Sequence, residues 1–179
     1  MILDVESTCW ERGSRGRVSE IIEIGAVRLG CENFAPVGEF DQIVQPLLNP
    51  ILSAFCAELT GIHQAQVDRA PRFPEAFRAF TEWAAGDEEF WLLSWGVYDL
   101  AQIKRDCALH GIAPPPSLLG HTNLKTAFAS LHGTSARIGL RRALATVGLQ
   151  FEGRHHRGID DARNIASLAA TLRSVLRLC

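Results

Sequence analysis

The sequence predicts an α/β domain, a sheet flanked by helices, and three observations carry that expectation. Short runs rich in branched apolar residues alternate with segments whose apolar residues recur at three- and four-residue spacing. That intermixing continues along the whole chain, with no internal repeat and no low-complexity linker. At 179 residues the chain has the length of one ordinary domain, so residues 1–179 are expected to share a single core.

The elements follow in order. MILDV and Ile21–Leu29 read as strands, and Phe40–Val44 as a third, closed by the two prolines of QPLLNP. A helix is expected over about Ser53–Thr60, with Gly61 able to cap it. From Phe73 the residues Phe77, Phe80 and Trp83 mark one helical face, with Pro74 in the first turn and Gly86 as the stop. FWLLSW, Phe90–Trp95, is short and continuously apolar, as a strand buried on both faces should be. Helices are expected over Asp99–His110, near Leu124–His132 and over Gly139–Val147, with a short strand near Thr122. The last helix is expected to begin near Asp161, with Ile165, Leu168, Leu172 and Val175 as its apolar stripe.

Composition narrows the class. Apolar residues make up 47% and charged residues 21%, which excludes a disordered tail, and no stretch approaches the roughly 18 apolar residues of a membrane span. Five widely spaced cysteines, Cys9, Cys31, Cys56, Cys107 and Cys179, contain no CxxC pair, which argues against a disulfide framework or zinc cluster and for a reducing compartment. Residues 1–20 carry ESTCWERGSRGR where a secretory signal would carry its apolar core, so a cytoplasmic location is expected. A net charge of -2 provides no global basic field, so any affinity for nucleic acid must come from local charge. Arginines gather at Arg12, Arg15 and Arg17, and again from Arg137 to Arg163, where six arginines face three acids.

The chemistry begins with Asp4 and Glu6. On a strand, residues two apart project from one face, so the two carboxylates either converge on a site or end the strand in solvent. Unpaired acids beside a core are costly, and a hard divalent cation with oxygen ligands is the usual compensation. Asp99 follows a central strand, where open α/β sheets place functional groups and where an aspartate can also cap a helix. In HHRGIDDARNIASL, Asp160 and Asp161 fall in the first turn of a helix, whose dipole they would complement, and His156 lies five residues before Asp161. Their joint occurrence sets these residues apart.

ILDVEST, SWGVYD and HRGIDD resemble the three motifs of the DEDDh branch of the DnaQ-like 3′-5′ exonucleases, in the same order and at similar distances. DVESTCW, EIIEIGAV, FCAELTGI, the HGI and NLK segments and GLQFEGRHHRGIDDARNIA are similar more specifically to the Eri-type exoribonucleases and their bacterial sporulation-inhibitor relatives, over nearly all of the chain. The resemblance implies an RNase H-like mixed five-stranded sheet and two Mg²⁺ or Mn²⁺ ions held by Asp4, Glu6, Asp99 and Asp161. Two such ions clamp the attacking and leaving oxygens of an in-line phosphoryl transfer. It makes His156 the general base, with His155 one residue out of register. It further implies an enzyme that trims single-stranded 3′ ends, RNA preferred, with no membrane involved; the alternatives are a DNA exonuclease of the proofreading or repair type, or a regulatory nucleic-acid-binding protein not dependent on catalysis. Trp95 and Trp10 are the aromatics it offers for stacking terminal bases. Thr8 and the turn Thr60, Gly61 and Ile62 match segments near the terminal ribose, where backbone amides would read its hydroxyls. Only three residues precede Asp4, fewer than the family's first strand carries, so the expectation is either a weakly anchored strand edge or a start upstream of Met1.

Overall fold

A computed structural model describes residues 1–13, 16–85, 90–118, 120–135 and 137–176. Arg15, the expected helix stop at Gly86, the side chain of Val175 and Cys179 lie outside what it describes.

Strand β1 (Ile2–Ser7) lies at the centre of a five-stranded mixed sheet of order β3-β2-β1-β4-β5. On one side β2 (Ile21–Leu29) and then β3 (Pro36–Ile43) run antiparallel, and on the other β4 (Leu92–Ser94) and β5 (His121–Asn123) run parallel. The weakly anchored edge expected at the start of β1 is not found. The Met1 nitrogen donates to the Trp91 carbonyl at 2.7 Å, and the Leu93 amide donates to the Met1 carbonyl at 2.9 Å.

Alternation along β1 sends its side chains to two cores. Leu3 and Val5 pack with Ile24 and Ala26 against α3 (Phe73–Ala85) and α4 (Tyr98–Leu109), through Phe77, Phe80 and Ile103. Ile2 and Val27 face the other layer, α5 (Leu124–His132), α6 (Leu140–Thr146) and α7 (Gly158–Thr171), with Phe128, Leu144 and Ile165. A smaller cluster of Ile22, Cys56, Ile62 and Val67 seats α1 (Ala54–Thr60) and the single turn α2 (Gln64–Val67). Gly61 caps α1 as expected, and Ser53, expected as its first residue, caps the other end. The Ser53 hydroxyl accepts from the Cys56 amide, and Gly61 closes the helix at φ 71°.

Three boundaries differ from the sequence expectation. β3 starts at Pro36 rather than Phe40, because its ladder to β2 recruits exposed edge residues such as Val37 that carry no burial pattern. β4 is confined to Leu92–Ser94, since Trp91 is exposed and Trp95 has already left the sheet. α7 begins at Gly158, three residues before Asp161, because Glu23 on β2 accepts from the Gly158 amide at 2.9 Å and from Ile159 at 3.4 Å. Gly25 makes that seat possible, as a Cβ there would stand 2.2 Å from the Gly158 carbonyl carbon. Among the described residues no helix is long and apolar enough to cross a membrane.

Candidate active site

Asp4 and Glu6 project from β1 toward α7, on the face opposite Leu3 and Val5, as the two-residue period requires. α7 crosses that face and delivers Asp161 from its first turn. Carboxylate oxygens of Asp4, Glu6 and Asp161 lie within 4.8 Å of one another. Asp99, in the first turn of α4 directly after the loop from β4, lines the same cleft, and one of its oxygens accepts from the Val5 amide at 3.1 Å. It therefore faces the cluster across β1 instead of capping its helix from the N-cap position, which Val97 occupies.

His156 adopts φ 66°, a left-handed conformation that costs a non-glycine residue roughly 1 to 2 kcal/mol. The turn aims its amide at Asp161 Oδ2, 2.7 Å away, and brings Nδ1 to 4.0 Å from Glu6 Oε1. His155 stays beside it, with Nε2 3.8 Å from Asp161 Oδ1, its ring lodged between Phe151 and His156. The cleft, about 320 Å³, is lined by these groups with Trp95, Tyr98 and the ridge Gly139–Leu140.

The electrostatics are those of an acid cluster under strain. Burial foremost, then repulsion from its neighbours, raises Asp4 well above the usual carboxylate range and pushes Glu6 up to about 9. Burial also lifts Asp161 to about 7 and raises Asp99 against the bonds from Val5 and Ser94. Burial, then His156 and Arg141, lowers His155 to about 4, and His156 is lowered by burial and by Arg141. Asp161 Oδ1 is buried without a hydrogen-bond partner among the described residues. A hard divalent cation meets all of these conditions at once: an orphaned anionic oxygen, three oxygen donors in mutual reach and a surplus of negative charge. The site residues fit such an ion.

The sequence-matched binding residues divide. Trp95 lines the cleft, half-buried, edge-on to Phe128, with its indole nitrogen unpartnered among the described residues. Trp10 does not line it. Beyond Ser7 the chain leaves the sheet, and the Arg17 guanidinium covers the Trp10 ring at 4.5 Å. The amides expected to read a ribose are already engaged: Thr8 donates to Glu20, Gly61 to Ala57 and Ile62 to the Thr60 hydroxyl. The Thr8 and Thr60 hydroxyls are likewise bonded within the fold, and none of these four residues is among those lining the cleft. Two contributors went unseen in the sequence. Tyr98 lines the cleft and bonds Ser7 Oγ at 2.5 Å, but its position beside Asp99 gave no sign of this. Glu23, fully buried, carries the signal that marked Asp4 and Glu6, an acid inside an apolar run.

Residues 1–169 match the family model described as Exonuclease, of the RNase T type. The chain belongs to this exonuclease family. It is 36% identical to ERI1 exoribonuclease 2 of Danio rerio, over 94% of this chain and 34% of that protein. It is 33% identical to 3′-5′ exoribonuclease 1 of Homo sapiens, over 96% of this chain and 51% of that protein. The chain thus spans about a third to a half of the length of these curated relatives. Among solved structures, the nuclease domain of 3′hExo, a DEDDh family member bound to rAMP, superposes with a TM-score of 0.93 at 32% identity, over 99% of this chain and 93% of that one. Cell-death related nuclease 4 superposes at 0.88 with 25% identity, over 98% and 63%. The exonuclease fold is therefore shared along almost the whole chain, and it is of the RNase H-like type.

Proposed function

We propose that this exonuclease-family chain acts as one domain over residues 1–179, removing nucleotides from single-stranded 3′ ends, RNA in preference to DNA, as nucleoside 5′-monophosphates. The carrying observation is the convergence of Asp4, Glu6, Asp99 and Asp161 on one cleft, with an orphaned Asp161 oxygen and His156 beside Glu6. The four acids would hold two Mg²⁺ or Mn²⁺ ions. When bound, such ions neutralise charge developing on the scissile phosphate and orient the attacking water. His156 accepts the proton that this water gives up, a role suited to a neutral imidazole held by its own amide. The size of the cleft supports a terminal nucleotide as occupant, since about 320 Å³ is near the lower end of ligand sites. Trp95 offers a ring face to the terminal base. A cytoplasmic location is supported by the four described cysteines, all free thiols.

The test uses matched RNA and DNA oligomers labelled at either end, with and without Mg²⁺ or Mn²⁺. A 5′-labelled single strand should shorten one nucleotide at a time, circular RNA should survive, and chelator should abolish the reaction. Internal cuts would overturn the reading, and faster decay of DNA would transfer it to a DNA exonuclease.

A further inference from the structure

The excess of arginine between residues 137 and 163 resolves into two groups. Three of the six are locked into the fold: Arg157 to Glu23 and Asp41, Arg163 to Glu39 and Asp160, and Arg154 to the Glu58 carbonyl. Arg137, Arg141 and Arg142 are exposed and have no carboxylate partner among the described residues. All three flank the Gly139–Leu140 ridge that forms one wall of the cleft.

Behind that ridge lies a second cavity of about 420 Å³, lined by Thr134, Ser135, Arg137, Ile138, Arg142 and Thr146. Its chemistry is that of an anion cradle. Two guanidiniums supply positive charge and paired donors that match phosphate oxygens. Thr134 lines the cavity, and its Oγ1, turned into the protein, is buried with no hydrogen-bond partner among the described residues. A hydroxyl left without a partner beside a cavity that two arginines line can turn about its Cα–Cβ bond to meet a ligand oxygen. Ile138 of this cavity and Gly139 of the cleft are consecutive residues, and Arg142 follows Leu140 by two, so the two linings adjoin along the chain.

We propose that this cavity binds a backbone phosphate of the nucleic-acid strand, upstream of the 3′-terminal nucleotide, through Arg137, Arg142 and Thr134. The ligand is a phosphodiester within a strand, not free phosphate, because the cradle adjoins the cleft and neither arginine is neutralised by the protein. The inference rests on the nuclease reading and adds to it a second, non-catalytic contact that favours longer strands.

Oligouridylates of three and twelve nucleotides with 5′-fluorescein are bound to the protein in an Asp4→Asn background, with Mg²⁺ present, across a salt series. The double variant Arg137→Gln/Arg142→Gln should lose about tenfold of the affinity advantage that the 12-mer holds over the trimer. The slope of log affinity against log salt should become shallower by about 0.7, the value of one phosphate contact on a single strand. Arg137→Lys/Arg142→Lys should keep the slope, and Thr134→Val should weaken the 12-mer without changing it. An unchanged length advantage, or an equal loss for both strands, overturns the proposal, provided the melting temperature shows the variant folded. Inorganic phosphate that displaces the 12-mer at millimolar concentration would reassign the cavity to a free anion and overturn it as well. The two readings separate cleanly. If the protein without the Asp4 change fails to cut the 12-mer in Mg²⁺, the nuclease reading falls, while the binding series still decides whether the cavity holds a strand.

Discussion

His156 takes a backbone conformation that side chains resist, and the bond from its amide to Asp161 offsets the cost. His156 and Asp161 are thereby positioned as one unit. His155, packed between Phe151 and His156, is lowered further and is a poor acceptor near neutrality. His156→Ala should therefore lose roughly 100-fold or more in rate, as removal of a general base does, while Mg²⁺ still raises the melting temperature. His155→Ala should lose much less. Steady-state kinetics on both variants decide this, and a dead His155→Ala beside an active His156→Ala would reverse the assignment. Asp4→Asn and Asp161→Asn should bind oligonucleotide without cutting it, as a gel shift paired with a nuclease assay would show. Trp95→Ala should act mainly on binding, weakening the terminal nucleotide by about 1 to 3 kcal/mol, read as a rise in KM larger than any fall in kcat.

At the scale of elements, the site depends on how α7 sits on β2. Glu23, opposite Glu6 in the β1–β2 ladder, accepts from Gly158, Ile159 and Arg157, so one buried carboxylate fixes both the start of the helix and the arginine before it. Gly25, opposite Asp4, lets the two backbones touch. Gly25→Ala forces a contact that only backbone movement can relieve, and should cost about 3 kcal/mol or more, since neither neighbour is a flexible side chain. Chemical denaturation measures that loss, and a variant of unchanged midpoint would show that α7 rides higher than the structure has it. Glu23→Gln keeps the shape but gives up the charge facing Arg157. It should destabilise by about 1.5 to 3 kcal/mol and lower activity through a displaced Asp161.

Over the whole molecule, four acids, Asp99 and Asp161 buried and Asp4 and Glu6 half-buried, line one cleft, and their titration links folding to pH and metal. Carboxyls in the unfolded chain ionise near 4, whereas Asp161 holds its proton to about 7 and Glu6 to about 9. Between those limits the unfolded state binds fewer protons, so the stability of the chelated protein should fall as pH rises. His155, held near 4, works in the opposite direction below about 6.5, and the Cys56 thiol, lowered to about 7 by its hydrogen bond with Cys9, does so from pH 7 to 9, so the interval from pH 7 to 9 is clean only in a Cys56→Ser background. Calorimetry should show the melting temperature declining there in chelator and the decline removed by Mg²⁺. At about a hundred times its Kd the ion should add roughly 2.7 kcal/mol, about 5 to 10 °C for a chain of this size. A melting temperature indifferent to Mg²⁺ and Mn²⁺ would remove the preformed cluster.

What the sequence determined by itself is what short-range geometry controls. The two-residue period of β1 put Asp4 and Glu6 on one face, Gly61 marked the end of α1, and four of the five strands were visible as apolar runs, β5 carrying none. The acids and the histidine were legible as residue types in motif order. Tertiary structure alone decided which of them meet, because residues 4, 99, 156 and 161 are brought together by strand pairing and helix packing across some 150 positions, and no local period encodes those distances. It also decided that Arg17 covers Trp10, that the amides of Thr8, Gly61 and Ile62 are taken by the fold, and that Glu23 and not solvent receives α7. Each of those outcomes is a competition between partners distant in sequence. Such a competition is settled by which groups the packed chain leaves within hydrogen-bonding reach of one another.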